Sequence, residues 1–179
     1  MRNAFTTPKG IISIQASEPD DAALVRELRL ESLSKHPEVF AADYDSTAEE
    51  SVEVWAERIT KYATGNKGLI SIALNGNQLI GMTGVVRGNH PKTQHIGTIW
   101  GVYVKADFRG FHIAEALINK CISWAQSQGL VSLKLGVIIT NISAICCYSR
   151  CGFTTYGIDP KVIYYNGVFY DELLMAKQI

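Results

Sequence analysis

Thr98-Ile-Trp-Gly-Val-Tyr-Val-Lys-Ala-Asp-Phe-Arg-Gly-Phe-His-Ile-Ala-Glu-Ala-Leu117 decides how this chain is read. Its first third, Ile99 to Val104, is β-branched and aromatic, the signature of a strand. Lys105 to Gly110 is polar and breaks that pattern. From Ile113 the apolar residues recur at helical spacing: Ile113, Ala116, Leu117, Cys121, Trp124 and Ala125. A strand therefore runs through a short loop straight into a helix. The first N–H groups of a helix have no partner inside it. With the helix macrodipole they form an anion site suited to phosphate. Arg109 stands at its mouth, able to add a charge-assisted contact.

Outward from this stretch the elements are punctuated clearly. Upstream, Gly10 to Gln15 reads as a strand, and residues 1–9 as a frayed start. Ser17, Pro19, Asp20 and Asp21 form a helix-start cluster. The helix they open runs to about Ser34, with Leu24, Val25, Leu28 and Leu33 as its buried stripe; Pro37 closes it. Asp43 to Glu50 is acidic and reads as a loop. Glu49 to about Ala63 returns to helical spacing through Val52, Trp55, Ile59 and Tyr62. Leu69–Leu74 and Gln78–Arg87 are strands joined at the hairpin signal Asn75-Gly76. Gln94 to Val104 is the next strand. Downstream, the central helix runs from Phe111 to Gln128 and is closed by Gly129. Ser132–Ile138 is a strand and Ile142 to Arg150 a helix. Val162–Tyr165 and Phe169–Met175 form a last hairpin around Asn166-Gly167. The result is an α+β fold in one domain, residues 1–179. Its mixed sheet must be parallel where the central helix crosses over.

Composition narrows the function classes. The chain has 179 residues, 47% of them hydrophobic, enough for a sizeable core. Formal net charge is zero, which argues against a nucleic-acid partner held by a basic surface. No apolar run follows Met1-Arg2-Asn3, and no stretch approaches the ~20 residues of a membrane span. A cytoplasmic protein without membrane partners is expected. Cys121, Cys146, Cys147 and Cys151 show no metal-ligand spacing and read as small apolar side chains, so no metal is expected.

Two motifs carry a family resemblance. Arg109-Gly110-Phe111-His112-Ile113-Ala114 resembles the acyl-CoA-binding motif of the GNAT N-acetyltransferases, Arg/Gln-x-x-Gly-x-Gly/Ala. Asn141-x-x-Ala144-x-x-x-Tyr148-x-x-x-Gly152-Phe153 resembles that family's second pattern, at the expected distance after the first. His112 departs from the pattern, which usually has Gly there. His keeps the amide donor but adds bulk. The resemblance implies a mostly antiparallel central sheet with one splayed parallel strand pair, flanked by helices. It implies acetyl-CoA as acyl donor, its pantetheine arm between the strands Ile99–Val104 and Ser132–Ile138. Val102, Tyr103 and Val104 would contact that arm, with Asn141; Arg109, Gly110, Phe111, His112, Ile113 and Ala114 would hold the pyrophosphate.

The activity implied is transfer of an acetyl group to a primary amine of a small molecule or peptide by direct attack. Tyr148, a phenol protonated at neutral pH, would be the proton donor to the leaving thiolate. Glu31, His95 and Glu172 have the chemistry of a general base, and none is singled out. Phe40, Tyr44 and Trp55 are candidates for the acceptor wall. A non-catalytic acyl-CoA-binding module is the alternative, motivated by His112. A homodimer through the terminal hairpin is a further expectation.

Overall fold

The computed structural model describes residues 3–179. One eight-stranded sheet organises them. Its strands are β1 (Asn3–Thr7), β2 (Gly10–Ala16), β3 (Gly68–Asn75), β4 (Gln78–Arg87), β5 (Ile96–Val104), β6 (Ser132–Ile138), β7 (Thr154–Tyr165) and β8 (Val168–Gln178). They lie in the order β1-β2-β3-β4-β5-β6-β8-β7. Every neighbouring pair is antiparallel except β5 and β6. The helices are α1 (Ala22–Lys35), α2 (Tyr44–Glu49), α3 (Val52–Gly65), α4 (Ile113–Ser127) and α5 (Ile142–Arg150). None is long and apolar enough to cross a membrane.

Alternation along the strands sends side chains into different cores. Ile70, Ile72, Leu79, Met82 and Tyr103 pack with Val25, Leu28, Trp55 and Ile59 of α1 and α3. Ile12, Ile14, Ala73, Ile80 and Val104 pack with Ile113 and Leu117 of α4. The remainder of α4, together with α5, covers β5, β6 and β8 through Ile118, Cys121, Cys147, Tyr148, Leu133, Leu135 and Met175. The sheet thus separates an α1–α3 face from an α4–α5 face.

Three expectations are corrected. The frayed start holds a strand: β1 pairs with β2 from Asn3↔Ile14 to Thr7↔Gly10. Residues 1 and 2 lie outside the described residues. The acidic loop contains α2, whose first turn is capped by the Asp43 carboxylate accepting from the Ser46 N–H at 3.0 Å. The last hairpin is far longer than its apolar ends suggested. β7 begins at Thr154, and Pro160 and Lys161 (φ 56°) sit in a bulge where the Lys161 N–H donates to Asp171 at 2.8 Å. Smaller shifts follow the same physics. Leu24 is 41% exposed, and the buried stripe of α1 instead includes Arg29 and Ser32.

Candidate active site

The site begins where two strands part. β5 and β6 pair in parallel at Ile96↔Ser132, Gly97↔Leu133 and Thr98↔Lys134, and the pairing stops there. Beyond it β5 pairs on its β4 side alone, and β6 with β8 alone. Backbone groups lining the gap from Ile99 and from Leu135 onward have no strand partner across it. Such groups demand partners from elsewhere.

A bulge aims β5 into this gap. Its register with β4 slips between Met82↔Tyr103 and Gly84↔Trp100, which leaves Gly101 and Val102 opposite Thr83. Gly101 has φ +64°, the left-handed conformation that favours glycine. The Thr83 hydroxyl donates to the Trp100 carbonyl at 3.0 Å and holds the bend. Of the three residues expected to meet the pantetheine arm, Val102 packs toward α4 and α5, Val104 toward α4, and Tyr103 toward α1. Their side chains are spent on cores, which leaves main chain to face the gap.

The loop to α4 is anchored at both ends. Phe108 and Ile113 are buried. Arg109 donates through Nε to the Val104 carbonyl at 3.0 Å, and its Nη2 meets His36 Nε2 at 3.0 Å. The guanidinium is thereby turned back toward α1 and lies over the Tyr103 ring at 5.8 Å. Gly110 has φ +84° with open space where a Cβ would stand. His112 also takes a positive φ, 58°, and provides no side-chain cap to α4. Its imidazole contacts Glu115 instead, and Glu115 contacts Arg150 of α5. Burial alone would raise the Glu115 carboxyl; hydrogen bonds from Arg150 and His112 bring it below its usual range. The first bonded amide of the helix is that of Ala116, which reaches the His112 carbonyl at 3.1 Å. Among the described residues no backbone N–H from Gly110 to Glu115 donates to a protein acceptor. A shallow groove of about 520 Å³ runs from these residues to Phe5, Thr6 and Thr7 of β1.

α5 explains the spacing of the second motif. Asn141 is its N-cap: Oδ1 accepts from the Ala144 N–H at 3.2 Å and from the Ser143 hydroxyl at 3.1 Å. The Asn141 amide nitrogen remains free to donate, among the described residues. Gly152 (φ +87°) ends the helix, and the Phe153 N–H returns to the Tyr148 carbonyl at 3.0 Å. Phe153 is 2% exposed and meets the Tyr148 ring edge-on at 6.5 Å. That clamp fixes Tyr148, itself 7% exposed. Burial, then the neighbouring Cys147 and Cys151, push its phenol well above the ordinary range. No protein group hydrogen-bonds its hydroxyl among the described residues.

The three candidate bases differ sharply. Glu31 accepts from Tyr103 Oη at 2.9 Å and pairs with Lys35 at 2.9 Å and Lys105 at 3.3 Å. Burial pushes its carboxyl up, but those donors outweigh it and hold it below the usual range. His95 is exposed beyond the site, beside the strand start at Ile96. Glu172 of β8 lies over Gly136 of β6, where its carboxyl group would collide with any Cβ. Burial and then Asp159 raise its carboxyl above the usual range. Of the wall candidates, Trp55 is core, Tyr44 is 43% exposed, and Phe40 lies beneath the Arg29 guanidinium at 4.6 Å. Cys146 is exposed, and the other three cysteines are buried. Arg29, buried on the α1 face, escaped sequence reasoning. Its one signal is that it falls on the same helical stripe as Val25, Ser32 and Leu33.

The sequence profile of the acetyltransferase (GNAT) family matches residues 25–153. A streptothricin acetyltransferase from Escherichia coli is 34% identical over 64 residues, covering 36% of this chain and 37% of that protein. The chain spans about a quarter to just over a third of the length of the curated relatives it matches. Solved structures show the same fold over nearly the whole chain. An acetyltransferase of the GNAT family from Streptococcus pneumoniae superposes with a TM-score of 0.86 at 24% identity, covering 94% of this chain and 99% of that one. A phosphinothricin acetyltransferase from Sinorhizobium meliloti, solved with acetyl-CoA, gives 0.80 at 18% identity, covering 94% and 88%. The family match spans both the parting strands and the α5 motif, and on it the chain belongs to the GNAT acetyltransferase family.

Proposed function

We propose that this protein transfers an acetyl group from acetyl-CoA to a primary amine of a small molecule or peptide by direct attack. The observation that carries this reading is the parting of β5 and β6 directly before a helix start with unpaired amides. The gap offers strand-like N–H and C=O groups to the amides of a pantetheine arm. The amides of residues 110–115 offer a pyrophosphate site at the positive end of α4. Arg109 serves this site by fixing the loop, since its Nε is committed to Val104. Asn141 keeps a donor for the same arm.

Acetyl-CoA supplies an acyl group activated as a thioester. A main-chain N–H at the bulge, near Val102 or Val104, stabilises the negative charge that develops on the carbonyl oxygen as the amine attacks. Tyr148 enters with its phenol protonated and donates to the sulfur as the C–S bond breaks. Glu172, raised by burial, is the best matched of the three candidates to accept the amine proton. Glu31 is stabilised as a carboxylate by three partners and is correspondingly less basic. Relatives with small-molecule names, for streptothricin and phosphinothricin, support an acceptor of that size.

The non-catalytic alternative drew on His112. Its backbone occupies the left-handed conformation that Gly would provide, so the path of the loop is kept. Histidine tolerates that region better than most residues. The test is thiol release from acetyl-CoA over a panel of primary amines, comparing wild type with Tyr148→Phe. Turnover by wild type, falling about 10²-fold in the variant, supports the reading. Tight coenzyme binding without turnover on any amine overturns it. The proposed homodimer uses the exposed hairpin of β7 and β8, where Ile158, Tyr164 and Phe169 are 60%, 64% and 56% exposed. Sedimentation of wild type as a dimer and of Phe169→Glu as a monomer supports that contact.

A further inference from the structure

Arg29 is a buried cation with no anion paired to it among the described residues. It lies in the middle of α1, 7% exposed, on the helix face that carries Val25 and Leu33. A guanidinium has five N–H donors. Among the described residues its one side-chain contact to a protein acceptor is Nη1 to the Ser32 hydroxyl, at a long 3.5 Å. Among the described residues no carboxylate lies within 4.0 Å of it. The nearby charge that bears on it is Arg58, which is itself paired with Glu50 at 2.6 Å. Burial, then Arg58, lower its pKa to about 10, so it stays charged at neutral pH. Leaving such a group unpaired is costly, and an apolar side chain of similar volume is often the more stable choice.

Its surroundings give the charge a direction. The Phe40 ring supports the guanidinium plane at 4.6 Å. Nη1 stands 3.5 Å from the point where a Cβ on Gly101 would be. Gly101 is the bulge residue of β5, and a Cβ there would stand in ordinary contact with the guanidinium, so the two are immediate neighbours. The cation therefore sits beside the main chain proposed to hold the reacting carbonyl. The acids around this face are already engaged or lie on other strands: Glu31 with Lys35, Lys105 and Tyr103, and Glu172 over Gly136.

We propose that Arg29 anchors a carboxylate carried by the acceptor, so that the acceptors are small amines of the amino-acid type. The planar fork pairs both carboxylate oxygens and orients the amine toward the bulge. This assignment rests on the acetyltransferase reading, and its test is separable from it. L-amino acids and their carboxamides are titrated calorimetrically into the CoA-loaded protein, and the same pairs are assayed for acetylation. At least one acid binds wild type tenfold or more tightly than its amide, and in Arg29→Gln that ratio falls to near one. Arg29→Met, which removes the charge and keeps the volume, folds with an unchanged or higher melting temperature and gives the same loss. Arg29→Lys keeps a charge without the fork and retains a reduced preference. Acids and amides that bind wild type alike overturn the assignment, as does a preference that survives in Arg29→Met. Because binding is read directly, an acid preference without any acetylation sustains the anchor and rejects the catalytic reading instead.

Discussion

The two helices that follow the parting strands begin in opposite ways. α5 starts sealed: the Asn141 side chain accepts from Ala144 and Ser143, and Gly152 and Phe153 close the other end. α4 starts open: His112 turns its ring to Glu115, and the amides from Gly110 to Glu115 have no protein acceptor among the described residues. Both helices follow a strand of the same sheet, so topology does not distinguish them. What differs is the use of the N-terminus. A sealed helix is a structural part, here one that fixes Tyr148 in place. An open one keeps its donors for an anion.

Substitutions can break this contrast, and Phe153→Ala should have the largest effect. It empties a fully buried site against Tyr148 and should cost about 3–5 kcal/mol of stability in denaturant titration. Tyr148→Phe should do the reverse. Its ring packing survives and its hydroxyl has no protein partner, so stability should change by under about 1 kcal/mol while turnover falls about 10²-fold. Asn141→Ala should cost about 1 kcal/mol as a lost cap. His112→Gly, at the equivalent point of α4, removes no cap and relieves a left-handed side chain, a gain of up to about 1 kcal/mol. Coenzyme affinity of that variant should be unchanged or better; a marked loss would show that the imidazole itself holds the ligand.

The smallest effects concern pH, and here two glutamates, Glu31 and Glu172, differ in sign. Glu31 has its carboxyl depressed in the folded protein, so its contribution is present above the unfolded pKa and is lost as pH falls through the folded one. Glu172 is raised, so folding favours its protonated form, and stability falls as pH rises from the unfolded pKa through the folded one. Glu31→Gln should therefore flatten the acid limb of the stability profile. Glu172→Gln should stabilise the protein at neutral pH. Melting curves between pH 3 and 7 check both.

Most of the fold was legible because its signals are local. β4, β6 and α5 fall where the hairpin signal before Gln78, the strand run after Gly129, and Asn141 and Gly152 place them. The Asn166-Gly167 turn has both residues at positive φ, as a tight hairpin requires. The other hairpin turns one residue later, at Gly76 and Asn77, because Asn75 pairs with Gln78. What escaped depends on distant partners. β1 has few large apolar residues and becomes a strand by pairing with β2. The part of β7 before Val162 contains Gly157 and Pro160 and is held by β8. α2 hides in an acidic run whose composition says loop, although Asp43 is its cap. The site divides in the same way. The two motifs marked the loop proposed to hold the coenzyme and the buried Tyr148, because backbone conformation and capping dictate their spacing. Arg29 was invisible, because a charged residue in a helix is ordinarily exposed and nothing in its neighbours announces burial.

The open start of α4 and the parted strands are the centre of this account, and melting temperature with acetyl-CoA tests them most directly, with free CoA as control. A ligand that binds the folded state alone raises the melting temperature by mass action. We predict a clear rise with both, growing with concentration into the millimolar range. No shift at millimolar acetyl-CoA would contradict the assignment of the loop from Gly110 to Glu115 and the gap after Thr98 as the coenzyme site.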